Sequence, residues 1–201
     1  MEFYERISGA RLHANYIRPG GVAWDINNDL LDDINLFLSN FTTHILELEN
    51  ILHFNRIWRQ RLVDIGVVTT KTALNWGFTG VMLRASGINW DLRKLHGTNN
   101  LYNKFDFKVP TGKKGDCYDR FLIRVEEMKQ STIIIKAALE YLPSGAFLAN
   151  NTKIIAPSRN EMRKSMESII NHFKLFTEGF SVPKSSSYQA LEAPKGEFVY
   201  S

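Results

Sequence analysis

The stretch GDCYDRFLIRVEEMKQS, residues 115–131, decides the fold that we expect of this chain. After Asp116 the sequence continues to Leu142 without a glycine or a proline, and Pro143 then follows. Aspartate is a favoured N-cap because its carboxylate accepts hydrogen bonds from the first free amides of a helix. A helix usually ends before a proline. The pattern predicts one helix over residues 117–142, which would be about 39 Å long.

A second helical region is predicted within residues 22–65, which also contain neither glycine nor proline. Apolar residues recur there every three or four positions, the spacing that places side chains on one face of a helix. Because one helix over the whole run would be long for a globular protein, we expect a break near residues 50–55. The apolar residues are Leu30, Ile34, Phe37, Phe41, Ile45, Leu48 and Leu52.

A third helix is predicted to begin at Ser158. Glu161 stands three residues further on, and Pro157 comes before. In a capping box the serine and the glutamate each bond a free backbone amide of the first turn. We expect this helix to run to Glu178 and to end at Gly179.

The other segments are expected to be short or extended. A short helix is predicted around residues 70–76, and an extended connector over residues 98–114. The Pro-Gly-Gly at residues 19–21 predicts a turn that ends the first helix, and residues 197–201 predict a final strand. The expected fold is therefore mainly α, a helical bundle with a short extended connector and a small C-terminal β element.

We expect a single partial domain, since 201 residues with 44% apolar side chains allow one core of this size. The first helices of the bundle would occupy residues 1–65. A loop-rich segment with short helices would follow over 66–114, two long helices over 115–180, and an extended segment over 181–201.

The composition argues against several kinds of protein. The net charge is +4, and lysine and arginine are spread among aspartate and glutamate, whereas nucleic-acid binders usually show a basic stripe. A free-standing RNA-associated protein is therefore the weakest alternative. The single cysteine, Cys117, allows no intrachain disulfide and cannot hold an iron–sulfur cluster, which usually takes four cysteines. No run approaches the roughly 18 apolar residues of a membrane span.

Four segments carry the most distinctive motifs: GARLHANYIRPGG (9–21), GVMLRASGINWDLRK (80–94), GDCYDRFLIRVEEMKQS (115–131) and EAPKGEF (192–198). In this order they resemble the hydrogenase-like large core subunit of respiratory complex I, called NADH dehydrogenase subunit 7 in mitochondria. The resemblance runs nearly end to end and implies a bundle like that of the nickel–iron hydrogenase large subunit. Those hydrogenases bind their metal with two CxxC pairs, and this chain has none, so their active site is excluded.

The resemblance implies a role for the first segment. In family members the histidine of GARxHxxYIRPGG lies beside the terminal 4Fe-4S cluster, which a neighbouring subunit holds. That position is His13 here, between Arg11 and Arg18. A cation near a cluster stabilises its reduced form, and an imidazole can couple the electron to a proton. The alternative is a structural histidine with satisfied hydrogen bonds, next to arginines that cap backbone carbonyls.

We expect the other charged residues of the motifs to be structural. Arg84, Asp91 and Arg93 would form pairs with carboxylates or with backbone groups at a subunit interface; the alternative is a clamp for an anion or a substrate. The start of the helix at 117 is dense in charge, and an ion-pair network is favoured there over acid–base chemistry. That network would comprise Asp116, Asp119, Arg120, Arg124, Glu126 and Glu127.

No catalytic residue and no metal ligand is expected in this chain. His44, His53, His96 and His172 stand at spacings that suit no shared metal ion, and His172 is expected to pack. Cys117 is expected to be a small interior residue.

Two segments of the family have no counterpart in residues 1–201: an N-terminal segment that binds most of the quinone headgroup, and a segment after EAPKGEF. We therefore expect Glu192, Lys195 and Glu197 to lie at the end of an interrupted strand whose exposed edge needs a partner. Separate polypeptides would supply the two segments of a split subunit. The alternative is a truncated or frame-altered product.

The resemblance implies a core subunit of mitochondrial NADH:ubiquinone oxidoreductase, on the matrix side of the inner membrane. The chain would form a helical wall beside the cluster-bearing subunit, among the other core subunits of the peripheral arm, and back the ubiquinone cavity. It would hold no cofactor, bind no nucleic acid and have no activity alone, while NADH reacts elsewhere in a complex that translocates protons. The competing interpretation is a relic that keeps the bundle and has lost the redox role.

Overall fold

A computed structural model describes residues 1–95, 101–179 and 181–200. The helices are α1 (Glu2–Ser8), α2 (Asn28–His53), α3 (Arg56–Leu62), α4 (Thr70–Asn75), α5 (Gly80–Ala85), α6 (Cys117–Glu140), α7 (Arg159–Met162) and α8 (Met166–Phe173). The strands are β1 (Ile17–Arg18), β2 (Gly21–Val22), β3 (Gln189–Ala193) and β4 (Gly196–Tyr200). Short 3-10 turns lie at Leu92–Lys94 and Leu101–Lys104, and a π-helical turn lies at Lys174–Glu178. The mainly α class is confirmed.

The chain divides into two compact units. The first unit comprises residues 1–34 and 143–185, and the second comprises residues 35–142 and 186–201. In the second unit α5 packs on α6, and Val81, Ala85 and Ile123 form a buried cluster between them. Across the described residues, no helix is both long and apolar enough to span a membrane.

The long helix α6 forms where the sequence predicts it. The Asp116 carboxylate accepts a hydrogen bond from the Asp119 amide at 2.8 Å, so Asp116 is the N-cap. The helix ends at Glu140, two residues before the predicted end, and the Tyr141 amide bonds the Ala137 carbonyl.

The predicted break in the second helical region is confirmed. Asn55 separates α2 from α3 and caps α3, since its side-chain oxygen accepts from the amides of Ile57 and Trp58 at 2.9 and 3.2 Å. The predicted apolar face is only partly buried. Of the predicted residues, Leu30 and Ile45 are buried, and Ile34, Phe41 and Leu52 are half-buried. Leu38, which the prediction did not include, is also buried. Phe37 and Leu48 are exposed at 45% and 40%.

The third predicted helix is shorter than expected. The capping box is present, with Ser158 and Glu161 each accepting from the other's amide, but α7 ends at Met162. Ser165 interrupts the helix because its hydroxyl accepts from the Ser168 amide at 3.4 Å and so opens α8 as a new N-cap. The prediction of two long helices over residues 115–180 is therefore wrong for the second of them.

The Pro-Gly-Gly turn joins two strands and does not end a helix, so that prediction is wrong. Helix α1 already ends at Gly9, while β1 pairs with β2 through Ile17–Val22 and Arg18–Gly21. A side chain at Gly21 is excluded, because its Cβ would lie 2.2 Å from the Phe147 carbonyl oxygen. Residues 147–148 therefore pack against the β1–β2 hairpin. Local sequence patterns do not predict this contact between distant parts of the chain.

The remaining expectations concern short segments. The short helix near residue 70 and the final strand are confirmed as α4 and β4, and β4 pairs with β3 in an antiparallel hairpin. In the predicted connector, residues 101–104 form a 3-10 turn and residues 98–100 lie outside the described part. Phe105 and Phe107 are buried while the residues between and after them are exposed, as their alternation predicts, but they form no strand.

Candidate functional site

Three of the four distinctive segments meet at the guanidinium group of Arg84. Arg84 lies on α5 and is 3% exposed. Its Nε and Nη2 atoms donate to Glu127 Oε1 at 3.0 and 2.7 Å, and Nη1 donates to Glu192 Oε1 at 2.8 Å. Nη1 also donates to the Trp90 carbonyl at 3.1 Å. The buried guanidinium of Arg84 therefore bonds two carboxylates, Glu127 from helix α6 and Glu192 from strand β3.

A second arginine–carboxylate pair lies beside this cation. The Asp91 carboxylate accepts from Arg93 Nε at 3.0 Å, from Arg93 Nη2 at 2.7 Å and from the Arg93 amide at 2.9 Å. Arg84 Nη1 lies 4.0 Å from Asp91 Oδ2. Burial would raise the pKa of Asp91, but the hydrogen bonds from Arg93 and the charges of Arg93 and Arg84 hold it below its usual range. Asp91 is therefore a carboxylate at neutral pH and suits no general-acid role.

The contacts favour the pairing interpretation of Arg84 over an anion clamp. A buried guanidinium that already bonds two carboxylates has its charge compensated within the chain. The position of this group at a subunit interface stays a prediction.

The EAPKGEF hairpin reaches Arg84 because two glycines let it approach α5 closely. A Cβ on Gly80 would lie 2.5 Å from Gly196 Cα, and a Cβ on Gly196 would lie 2.5 Å from Thr79 Oγ1. The Glu197 amide donates to that same hydroxyl at 3.0 Å. The strand is thus held where Glu192 meets the cation, whereas Lys195 is exposed in the turn. Thr79 was not singled out from the sequence; its position before a helix-opening glycine was the available signal.

At the start of α6, Asp116 and Arg120 are buried and bond mainly to the backbone. Asp116 accepts from the amides of Asp119 and Asp64 at 2.8 and 2.9 Å. Burial alone would raise the pKa of Asp116, but these two hydrogen bonds, with Lys114 and Arg120 nearby, lower it. Arg120 donates to the carbonyls of Gly115 and Gly66 at 2.7 and 2.9 Å.

The predicted ion-pair network at this end of α6 is therefore largely wrong. Asp119 accepts from the amides of Lys113 and Lys114. Within the described residues, the ion pairs of the predicted set are Glu127 with Arg84 and Glu126 with Lys129. Asp116, Asp119 and Arg120 bond backbone amides and carbonyls instead, because the helix start and the adjoining loops leave such groups without partners.

The first segment presents its charged side chains on the surface of the first unit. His13, Arg11 and Arg18 are all exposed. Arg18 Nε donates to the Asn15 carbonyl at 3.3 Å, and Arg11 Nε lies 3.8 Å from Glu5 Oε2. Arg18 therefore caps a backbone carbonyl, as the structural alternative predicts. His13 is no satisfied interior histidine, since it bonds to no other described residue.

The other histidines lie apart from one another. His44 is 3.6 Å from Glu47, and His53 Nδ1 is 2.7 Å from the Tyr118 hydroxyl. His172 packs as expected, with its ring 4.7 Å from that of Phe176, whereas His96 is outside the described residues. Over residues 1–95, 101–179 and 181–200, no group of three or more His, Cys, Asp or Glu could hold a metal ion. Cys117 is half-buried, with its sulfur 2.9 Å from Arg120 Nη2.

Comparison with known proteins agrees with the motif pattern. The family described as respiratory-chain NADH dehydrogenase, 49 Kd subunit, matches residues 1–201. A subunit of NADH-quinone oxidoreductase from Rickettsia typhi is 55% identical over 198 residues, which cover 98% of this chain and 51% of that protein.

Two further relatives are similar to the same extent. Proteins of Nephroselmis olivacea and Arabidopsis thaliana, both named NADH dehydrogenase (ubiquinone) iron-sulfur protein 2, are each 58% identical over 198 residues. These residues cover 98% of this chain and 50% of each relative, so the chain spans about half the length of the curated relatives it matches. The chain belongs to the family of the 49 kDa subunit of respiratory-chain NADH dehydrogenase.

Proposed function

We propose that this chain is part of a core subunit of mitochondrial NADH:ubiquinone oxidoreductase and forms the helical wall beside its terminal iron–sulfur cluster. The observation that carries the proposal is the family match over all of residues 1–201. Electron transfer from NADH to ubiquinone and the coupled proton translocation belong to the whole complex. The chain would contribute to electron transfer by placing charged side chains beside the cluster of the adjacent subunit.

The exposed His13, Arg11 and Arg18 fit a neighbour that carries negative charge. All three lie on the surface of the first unit, and His13 keeps both ring nitrogens free of bonds to other described residues. A 4Fe-4S cluster held by an adjacent subunit gains one negative charge when it is reduced. The two guanidinium groups would stabilise that charge at any pH, and the imidazole would do so when it takes up a proton.

The buried group around Arg84 supports a structural role for the second unit. One cation ties together α5, α6 and β3, three elements that come from distant parts of the chain. These bonds would hold the three elements rigidly together. A surface that backs a quinone cavity would need such rigidity. The charged side chains of this group compensate one another through ion pairs.

Native co-purification tests the proposal. A membrane extract is resolved by native electrophoresis, stained for NADH-oxidising activity, and probed for this chain. The chain should migrate with the activity band and with the cluster-bearing subunit. Migration of the whole population elsewhere would favour the alternative, a relic of the bundle without a redox role.

The split of the subunit into separate polypeptides stays a prediction. Intact-mass measurement of the purified complex tests it, because a split subunit gives one mass for residues 1–201 and others for the flanking segments. One polypeptide that contains this sequence together with the quinone-binding segment would disprove it.

A further inference from the structure

The first unit of the chain, residues 1–34 and 143–185, has almost no hydrophobic core of its own. In the described part of this unit, Ala23 and Leu30 are the only buried apolar side chains, and the other buried apolar side chains of the chain belong to the second unit. Burial of apolar surface is the main force that drives folding, and a stable domain surrounds a core. The first unit therefore lacks the apolar contacts that a folded unit of its size needs.

Helix α8 carries an apolar stripe that the described chain leaves uncovered. Met166, Ile170 and Phe173 follow one another at intervals of four and three residues, so they lie on one face of the helix. Their side chains are exposed at 68%, 47% and 62%, whereas Ser168 and His172 are half-buried. A helix of a globular domain normally buries its apolar stripe and exposes its polar face. Because α8 does the reverse, it lacks its packing partner.

A cavity continues the apolar stripe beyond the end of α8. Phe176, three residues after Phe173, is exposed at 71% and lines this cavity, whose volume is about 570 Å³. Most of the lining is apolar, and it includes Val22 of β2 together with Leu148 and Ile155. All of these residues belong to the first unit. The stripe and the cavity together form one side of a core, and the described chain does not supply the other side.

We propose that the first unit completes its core by binding a segment from outside residues 1–201, namely the family's segment on the N-terminal side of residue 1. The matched region is about half of the length of the relatives, so they contain enough further chain to form the second side of a core. Residue 1 belongs to the first unit, whereas residues 186–201 belong to the second, so the N-terminal segment adjoins the unit that lacks a core. The segment would present an uncharged apolar face, since the stripe contains no charged side chain. The proposal rests on the family match and not on the redox role proposed for His13.

Cross-linking in the native assembly identifies the segment that covers the stripe. A photoreactive phenylalanine analogue replaces Phe173, an exposed aromatic residue of similar shape. Mass spectrometry should find a cross-link to the segment on the N-terminal side of residue 1, on the same polypeptide or on a separate one. The analogue at Lys164, exposed and outside the stripe, is the control and should not give this cross-link. A cross-link from position 173 to another subunit, to a second copy of the chain, to the segment after residue 201 or to lipid, or none at all, would overturn the proposal.

Hydrogen exchange tests whether the first unit depends on that segment for its folding. In the chain of residues 1–201 alone, amides of α8 should exchange at least tenfold faster than those in the middle of α6, because few apolar contacts protect them. In the assembly, exchange at α8 should slow by at least tenfold. Equal protection of α8 and α6 in the isolated chain would show that the first unit needs no further segment.

A charge placed on the stripe tests the apolar contact. Ile170→Asp should lower retention of the chain in the assembly by about ten- to a hundredfold, since a charged side chain would replace an apolar one at a covered position. Because Ile170 is exposed in the chain itself, the variant should keep the unfolding curve of the wild-type chain, which separates loss of docking from misfolding. Lys164→Asp is the matched control and should keep its retention. Equal retention of the two variants would contradict the proposal.

Discussion

Glu192 Oε1 lies 2.8 Å from Arg84 Nη1, although the two residues are 108 positions apart in the chain. The side chains of Arg84 and Glu192 are 3% and 6% exposed, so the pair is formed away from water. A buried charge that loses its partner is strongly unfavourable, whereas an intact pair is close to neutral in free energy. Because of this difference, the stability of the folded chain should depend strongly on whether both residues of the pair are present.

Replacing Glu192 by alanine should therefore lower the free energy of unfolding by about 1–3 kcal/mol, because Arg84 Nη1 would lose its carboxylate acceptor while Glu127 remains bonded and Asp91 lies 4.0 Å away. Urea unfolding followed by tryptophan fluorescence measures the change. Lys195→Ala, at an exposed position of the same hairpin, should change it by less than about 0.5 kcal/mol. Equal effects of the two substitutions would show that the contact with Arg84 does not stabilise the hairpin.

Gly80→Ala should destabilise the chain more than Gly77→Ala. Both glycines have φ of 65°, so both alanines carry a similar backbone strain of about 1–2 kcal/mol. A Cβ on Gly80 would also meet Gly196, whereas one on Gly77 meets nothing within 4 Å. The difference in urea midpoint between the two variants measures the destabilisation that comes from the close contact between the hairpin and α5. A difference of zero would mean that the hairpin does not rest on Gly80.

Stability should fall in acid because of Asp91. Its pKa is lowered in the folded chain, so its stabilising effect is complete above the unfolded pKa of about 3.9 and is lost as the pH falls through the lower folded pKa. In Asp91→Asn the unfolding free energy should be lower at neutral pH and should vary less below about pH 4. Unfolding curves from pH 2 to 7 measure both effects. Asp32→Asn, at an exposed position of α2, should leave the wild-type profile intact.

His13→Gln should flatten the pH dependence of the cluster's reduction potential in the assembled complex. If His13 lies beside the cluster, as proposed above, the reduced cluster should favour the protonated imidazole. The wild-type potential should then fall as pH rises, by up to about 59 mV per pH unit. Redox titrations followed by EPR at several pH values measure the slope. His44→Gln, on α2, is the control and should keep the wild-type slope. An unchanged slope in His13→Gln would remove this residue from the proton-coupled role.

Several parts of the fold follow from short-range patterns that a single sequence displays. Asp116 before an uninterrupted helical run predicts α6, and Asn55 and Ser158 cap helices from within three residues of the amides that they bond. These interactions are local, so the residue types and spacings suffice to locate them. The same patterns missed Ser165, because a serine in a helical stretch can either point away or open a new helix.

The sequence by itself determined the family, the long helix α6 and the charged residues of the candidate site, since motif order and helix caps are properties of neighbouring residues. Only the tertiary structure decided which carboxylates compensate Arg84, which charges bond the backbone, and that the apolar stripe of α8 is exposed. Partners 108 residues apart are chosen by packing: Gly80 and Gly196 permit the hairpin to approach α5, and that approach brings Glu192 to the buried cation.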